Sequence, residues 1–278
     1  MQYFIGDDFM ELYNHISIPD IGLGVYKMAH GDEMNNAVAA AYDLGYRLFD
    51  TAQMYKNEDA LGDAIKVNNI PRDDIFIVSK VDNCNQWYEN TLKSFDESLS
   101  RLKTDYLDSF LIHWPGQNNE RMLSTWQAME KLYSDGKAKS IGVCNFEVSQ
   151  LEYLLSHCTV KPMINQIEHT PLSHNENLLS LCRDNSIAVM AWAPLLRGNF
   201  NNKTILDIAD KHSKSPAQIL LRWNIQQGII PIPKSKNPTR LAENISVFDF
   251  ELDDNDMQAL NSMNQNRRTS HDPLVFDF

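Results

Sequence analysis

Gly22-Leu23-Gly24-Val25-Tyr26 follows the first apolar run of the chain, and its reading decides between two layouts. A doubly wound open sheet usually carries G-x-G-x-x-G at the turn after its first strand. Here the second glycine leads into Val25 and Tyr26, with no third glycine and no helix start. Outward from this point, short apolar runs recur at 21–24, 47–50, 75–80, 107–113, 140–144, 163–168, 188–192 and 229–233. Each is too short for a helix and apolar almost throughout, as strands buried on both faces of a parallel sheet are. Helical patterns lie between them at 33–44, 57–67, 88–102, 121–134, 147–156, 175–185 and 215–227. In 88–102, Leu92, Phe95, Leu99 and Leu102 recur at three- and four-residue steps with charges between them. Eight strands alternating with helices in 278 residues predict an α/β fold, a (β/α)₈ TIM barrel.

No Pro/Gly/Ser-rich linker or low-complexity tract divides the chain, so 1–278 reads as a single domain. The formal net charge of -12 argues against nucleic-acid and anionic-membrane partners, which would not be attracted over long range. The first eight residues show neither a basic region nor an apolar run, and no stretch approaches bilayer-spanning length. Cys84, Cys144, Cys158 and Cys182 are scattered without a C-x-x-C pair, which suits a reducing, cytoplasmic compartment. The eight histidines show no H-E-x-x-H spacing, so no metal site is expected; His212 and Lys214 read as a surface turn.

Three consecutive strands end in a titratable group: Asp50 after Leu48-Phe49, Lys80 after Val78-Ser79, and His113 after Leu111-Ile112. The C-terminal ends of barrel strands form one face, where active sites lie. An acid, a base and an imidazole in succession are therefore expected around one mouth. Tyr55 follows Asp50 on the next loop. An ammonium beside its phenol would lower its pKa, Asp50 would hold Lys80 in place, and Tyr55 would become a usable acid toward a carbonyl oxygen. After the last strand, Lys234, Lys236 and Arg240 form a local basic cluster where barrels often bind phosphate. A solvated charged loop accounts for the same cluster equally well.

Taken in order, these pieces resemble the aldo-keto reductase family. The matching segments are Gly22-Leu23-Gly24, Asp50-Thr51-Ala52-Gln53-Met54-Tyr55, Val78-Ser79-Lys80, Leu111-Ile112-His113-Trp114-Pro115, Ser140-Ile141-Gly142-Val143-Cys144-Asn145-Phe146, Asn165-Gln166-Ile167-Glu168 and Ile232-Pro233-Lys234-Ser235. The short tail ending in His271-Asp272-Pro273 is similar to the compact microbial branch that reduces diketo sugar acids and glyoxals.

The resemblance implies NADPH-dependent reduction of small carbonyls by a monomer, with a catalytic tetrad of Asp50, Tyr55, Lys80 and His113. Tyr55 is then the proton donor, and a neutral His113 orients the carbonyl. It implies NADPH contacts from Lys234, Ser235 and Arg240 at the 2′-phosphate, and from Glu243 and Asn244 near the adenine. Asn145 and Gln166 would bind the carboxamide, Trp192 would stack, and Gly24, Val25, Tyr26, Asp50, Cys144 and Leu195 complete the cofactor set. The substrate wall would be Tyr26, Met54 and Trp114 beside Tyr55 and His113, with help from Trp87.

Three positions depart from the family pattern: Cys144 where serine is usual, Thr170 where histidine precedes the proline, and Asp82 where tryptophan is common. A thiol is a poor hydrogen-bond donor, so one carboxamide contact is weakened. Two other classes fit parts of the pattern. A non-catalytic NADPH-binding regulator would keep the cradle, and an unrelated barrel isomerase or aldolase would not keep the ordered set.

Overall fold

The structure, a computed structural model, describes residues 9–278; the stretch 1–8, read for a leader, lies outside the described residues. The chain opens with an antiparallel hairpin of β1 (Phe9–Glu11) and β2 (Ser17–Pro19), pairing Phe9 with Pro19. Then follow β3 (Gly22–Gly24), α1 (Asp32–Asp43), β4 (Leu48–Asp50), α2 (Glu58–Val67), β5 (Phe76–Val81) and α3 (Tyr88–Leu102). Next come β6 (Ser109–Ile112), α4 (Asn119–Ser134), β7 (Ile141–Cys144), α5 (Val148–Leu155), β8 (Ile164–Glu168), α6 (Glu176–Asp184) and β9 (Ala188–Trp192). The chain finishes with α7 (Lys203–His212), α8 (Pro216–Ile225), β10 (Ile229–Pro231), α9 (Pro238–Ile245) and α10 (Asp254–Asn261).

Strands β3 to β10 form one parallel sheet in chain order. It closes where Gly24 N–H donates to the Pro233 carbonyl at 3.1 Å. A Cβ on Gly24 would stand 3.1 Å from the Ile232 carbonyl oxygen, so the absence of a side chain lets the first and last strands meet. The sheet is thus a (β/α)₈ barrel.

Strand periodicity decides which residues enter it. Leu48, Phe76, Val78, Leu111, Ile164 and Ile230 share one cluster with Leu12 and Ile18 of the hairpin. Phe49, Ile77, Phe110 and Ile112 instead join the helix-facing core with Phe95 and Trp126. Alternation by two then puts Asp50, Lys80 and His113 on the inward face, at the end opposite the hairpin.

Several sequence boundaries shift. The last strand ends at Pro231 rather than at 233, because Pro231 and Pro233 carry no N–H to extend a ladder. The fourth strand is Ser109–Ile112, with Leu107 making an isolated bridge to Ala138. The hairpin was not foreseen, nor were α7 and α10, although Asn202 and Asp253 cap them with side-chain acceptors. With α8 these two helices enclose a satellite core of Ile205, Ile208, Leu220, Trp223 and Leu260. His212 ends α7 and lies 2.7 Å from Asp256 Oδ2, so it belongs to a helix clip rather than a surface turn. No helix among the described residues is long and apolar enough to cross a membrane.

Candidate active site

Asp50 ends β4, Lys80 is the penultimate residue of β5, and His113 follows β6. The Lys80 side chain is fully buried, and its Nζ donates to Asp50 Oδ1 at 2.7 Å, Asp50 Oδ2 at 2.8 Å and the Thr51 carbonyl at 2.9 Å. An ammonium has three hydrogens, and all three are engaged. Tyr55 stands on a 3₁₀ turn, Gln53–Tyr55, with its ring centroid 5.1 Å from Lys80 Nζ. That ring lies 5.6 Å from the His113 ring, edge-on, and 4.8 Å from Tyr26. The three strand-end groups and the loop tyrosine do converge.

The turn is anchored by Gln53, whose buried amide is satisfied on both ends. Its Nε2 donates to the Ser94 carbonyl and to Ser98 Oγ, both at 3.0 Å. Its Oε1 accepts from Asp82 N at 2.8 Å and Asn85 Nδ2 at 2.9 Å. The aspartate that replaces a common tryptophan thus contributes its main chain to holding the Tyr55 turn. Gln53 was not among the expected functional residues, although it sits inside the motif.

One electrostatic expectation is reversed. Burial, and then the Asp50 carboxylate, push the Tyr55 phenol well above the ordinary tyrosine value. Desolvation dominates, and Asp50, in contact with Lys80, offsets the ammonium that was expected to draw the phenol down. His113 follows the expected direction. Burial, and then the Lys80 charge, hold its pKa well below the usual imidazole value, so the ring is neutral. Its Nδ1 is buried without a hydrogen-bond partner among the described residues.

Gln166 points inward from β8 and donates to Asp50 Oδ2 at 2.7 Å. Asn145, just beyond β7, donates through Nδ2 to the His113 carbonyl at 3.0 Å and meets Cys144 Sγ at 3.2 Å. Its Oδ1 accepts from Trp192 Nε1 at 2.9 Å. Cys144 is buried, its pKa raised by that burial, and its Sγ stands 3.8 Å from Gln166 Oε1. Thr170, the other departure, is buried and exchanges main-chain hydrogen bonds with Ser173.

The mouth is apolar and open at Tyr26 (47% exposed), Trp87 (40%) and Met54 (38%). Trp114 is less open than the rest of the expected wall, at 7% exposed. Phe276 covers it edge-on at 4.9 Å, and His271 stacks on Phe276 at 4.5 Å. Gln117 holds this tail by donating to the Pro273 and Phe276 carbonyls, both at 3.2 Å. No local signal marks His271 and Phe276 as site neighbours, since they approach only through the fold.

The cradle gathers at the closing edge of the barrel. Val25 is buried, with its N–H on the Asp50 carbonyl, while Leu195 is half-buried on the loop after β9. Asn237 caps α9 by accepting from Arg240 N. Lys234 and Arg240 are exposed, and neither side chain has an ion-pair or hydrogen-bond partner among the described residues. Lys236 leaves the basic cluster to pair with Glu33 at 2.5 Å. Glu243 accepts from the Ser215 hydroxyl, and Asn244 is buried beside it. A separate cavity of about 700 Å³ lies at the hairpin end, between Tyr13, Arg183 and Gln227, away from the tetrad.

Fold and site together define a barrel oxidoreductase with an Asp-Tyr-Lys-His constellation at the C-terminal ends of its strands. Residues 20–265 match the Aldo/keto reductase family, and the chain belongs to that family. Glyoxal reductase of Bacillus subtilis is 45% identical over 96% of this chain and 96% of its own length. The solved aldo-keto reductase MGS-M4, from a Medee basin deep-sea metagenome library, superposes with a TM-score of 0.93. It is 41% identical, and the match covers 97% of this chain and 100% of the other. The Bombyx mori aldo-keto reductase in complex with NADP has a TM-score of 0.86 and is 35% identical, over 95% of this chain and 94% of its own.

Proposed function

We infer that the protein reduces small aldehydes and ketones to alcohols with NADPH, and that Tyr55 supplies the proton. The observation that carries this reading is the convergence of Tyr55 and a neutral His113 over the buried Asp50–Lys80 pair. The similarity to glyoxal reductase supports glyoxals as substrates, and we read diketo acids and aldoses as further members of the range.

The residues present fit the cofactor. Two cations without an ion-pair partner among the described residues, Lys234 and Arg240, stand at the N-terminal end of α9, where helix N–H groups and charge favour a phosphate. Lys234, Ser235 and Arg240 would hold the 2′-phosphate, with Glu243 and Asn244 on the adenine side. Asn145, Gln166 and Cys144 would meet the carboxamide, Trp192 the ring, and Gly24, Val25, Tyr26 and Leu195 the rest. When bound, NADPH supplies a hydride from C4 of its nicotinamide.

The chain's own residues supply position and a proton. Tyr55, with its raised pKa, keeps its Oη proton at every physiological pH. A developing alkoxide is more basic than a phenolate, so the transfer still runs toward the substrate. Neutral His113 orients the carbonyl without placing a second charge beside Lys80. The open rings of Tyr26 and Trp87 and the thioether of Met54 exclude water around an apolar flank.

One chain of 1–278 carries the whole tetrad, and we read the protein as a single-domain, cytoplasmic monomer. The free cysteines of the described residues, two of them buried, accord with a reducing compartment. A non-catalytic cofactor-binding role gains no observation. NADPH oxidation over a panel of glyoxals, diketo acids, aldoses and aromatic aldehydes tests the assignment, with Tyr55→Phe as control. Turnover on the panel that disappears in Tyr55→Phe is expected. No turnover on any member, or an undiminished Tyr55→Phe, would overturn it.

A further inference from the structure

Trp192 does more than offer a ring face. Its Nε1–H donates to Asn145 Oδ1 at 2.9 Å. An indole nitrogen is a donor only, so this bond dictates which end of the Asn145 amide carries the oxygen. The opposite end, Nδ2, donates to the His113 carbonyl at 3.0 Å. The Asn145 main chain is in the left-handed region, with φ 64°, and its N–H donates to the Gln166 carbonyl at 2.9 Å. One residue, only 6% exposed, thus joins the end of β8 through its main chain to the ends of β6 and β9 through its side-chain amide. A largely buried network of this kind favours one geometry, and opening a member leaves a polar group without its partner.

We propose that Trp192 is a positioning residue that acts through its indole N–H on Asn145, and through Asn145 on the main chain of the carbonyl-orienting His113. The proposal rests on the reductase reading above. A phenylalanine at 192 keeps an aromatic face but frees Asn145 Oδ1, so the amide is held at one end only, by the His113 carbonyl. Loss of the N–H then affects the alignment of reacting atoms more than the hold on cofactor.

The decisive variant replaces Trp192 with β-(3-benzothienyl)alanine, which keeps the bicyclic ring and substitutes sulfur for N–H. Trp192→Phe serves to assign the indole resonance among the five tryptophans of the chain. The Trp192 indole N–H is expected to exchange slowly with solvent, with and without NADP⁺. The benzothienyl variant is expected to lose about tenfold in kcat while its NADPH Kd stays within about threefold, the cost of one neutral hydrogen bond. In an Asn145→Ala background the same replacement should make no further difference. An undiminished kcat, an effect on Kd alone, an equal loss in both backgrounds, or an indole that exchanges like a free one would each overturn the proposal. Failure of the reductase reading looks different: no NADPH oxidation by the unaltered protein, with the Trp192 N–H still protected.

Discussion

Gln166 donates its side-chain N–H to Asp50 Oδ2 at 2.7 Å, across 116 residues of chain. The same carboxylate accepts from Lys80, and all three side chains are buried. A residue expected to meet the cofactor is thereby tied directly to the ion pair beneath the proton donor.

Breaking that pair should cost stability as well as rate. Asp50→Ala leaves the Lys80 ammonium buried without its counter-charge, and the expected loss is about 3–5 kcal/mol. Urea unfolding measures it. Replacing both partners, Asp50→Leu with Lys80→Met, should recover most of the stability and none of the turnover. An Asp50→Ala variant as stable as the unaltered protein would contradict the geometry.

The raised Tyr55 pKa predicts the alkaline side of the reduction profile. A phenol held well above its ordinary value stays protonated throughout the range in which the enzyme folds. The kcat for carbonyl reduction should therefore show no loss of a proton donor up to about pH 10, the ordinary tyrosine value. A fall in kcat through an apparent pKa near neutrality, absent from the stability curve, would assign the proton to another group.

Arg240→Ala should discriminate between cofactors. Removing one charge-assisted contact to a phosphate costs about 1.5–3 kcal/mol, or roughly 10- to 100-fold in NADPH Kd. NADH lacks that phosphate, and its Kd should move less than about threefold. Titration of each cofactor by fluorescence separates the outcomes, and equal losses would remove the phosphate from Arg240.

Acid stability should report His169, a buried ring outside the tetrad. Its Nδ1 lies 2.8 Å from Asn224 Oδ1, its ring stacks on Trp223 at 4.6 Å, and burial lowers its pKa to about 3. The unfolded chain takes up this proton near pH 6.5, while the folded chain refuses it down to about pH 3. Its contribution is therefore fully present above pH 6.5 and is lost as pH falls through that window, at about 1.4 kcal/mol per unit. His113 shifts in the same direction. Urea midpoints at pH 7 and pH 5 should differ less in His169→Gln than in the unaltered chain; an identical pH dependence would exclude His169 as a cause.

Much of the site was legible because strands repeat every second residue. Once Leu48, Val78 and Leu111 face the barrel interior, Asp50, Lys80 and His113 must follow them there. The Tyr55 loop was legible as a neighbour of Asp50. The aromatic cover of Trp114 was not, because Phe276 lies far along the chain and arrives only when Gln117 and Arg121 hold the tail. The hairpin was missed because Phe9–Glu11 and Ser17–Pro19 mix polar and apolar residues and form no apolar run like those of the barrel.

By itself, the sequence determined the barrel, the family and which chemical groups stand at its mouth, since alternation and order along the chain are local properties. Tertiary structure alone decided how those groups are charged and aimed. Lys80 gives all three hydrogens to Asp50 and Thr51, and burial, with the Asp50 carboxylate, raises the phenol of Tyr55 where an isolated ammonium would have lowered it. Trp192 turns from a stacking surface into a donor because Asn145, 47 residues away, offers it an oxygen. Burial and hydrogen-bond partners depend on residues brought together from different strands, and no single stretch of the chain contains that information.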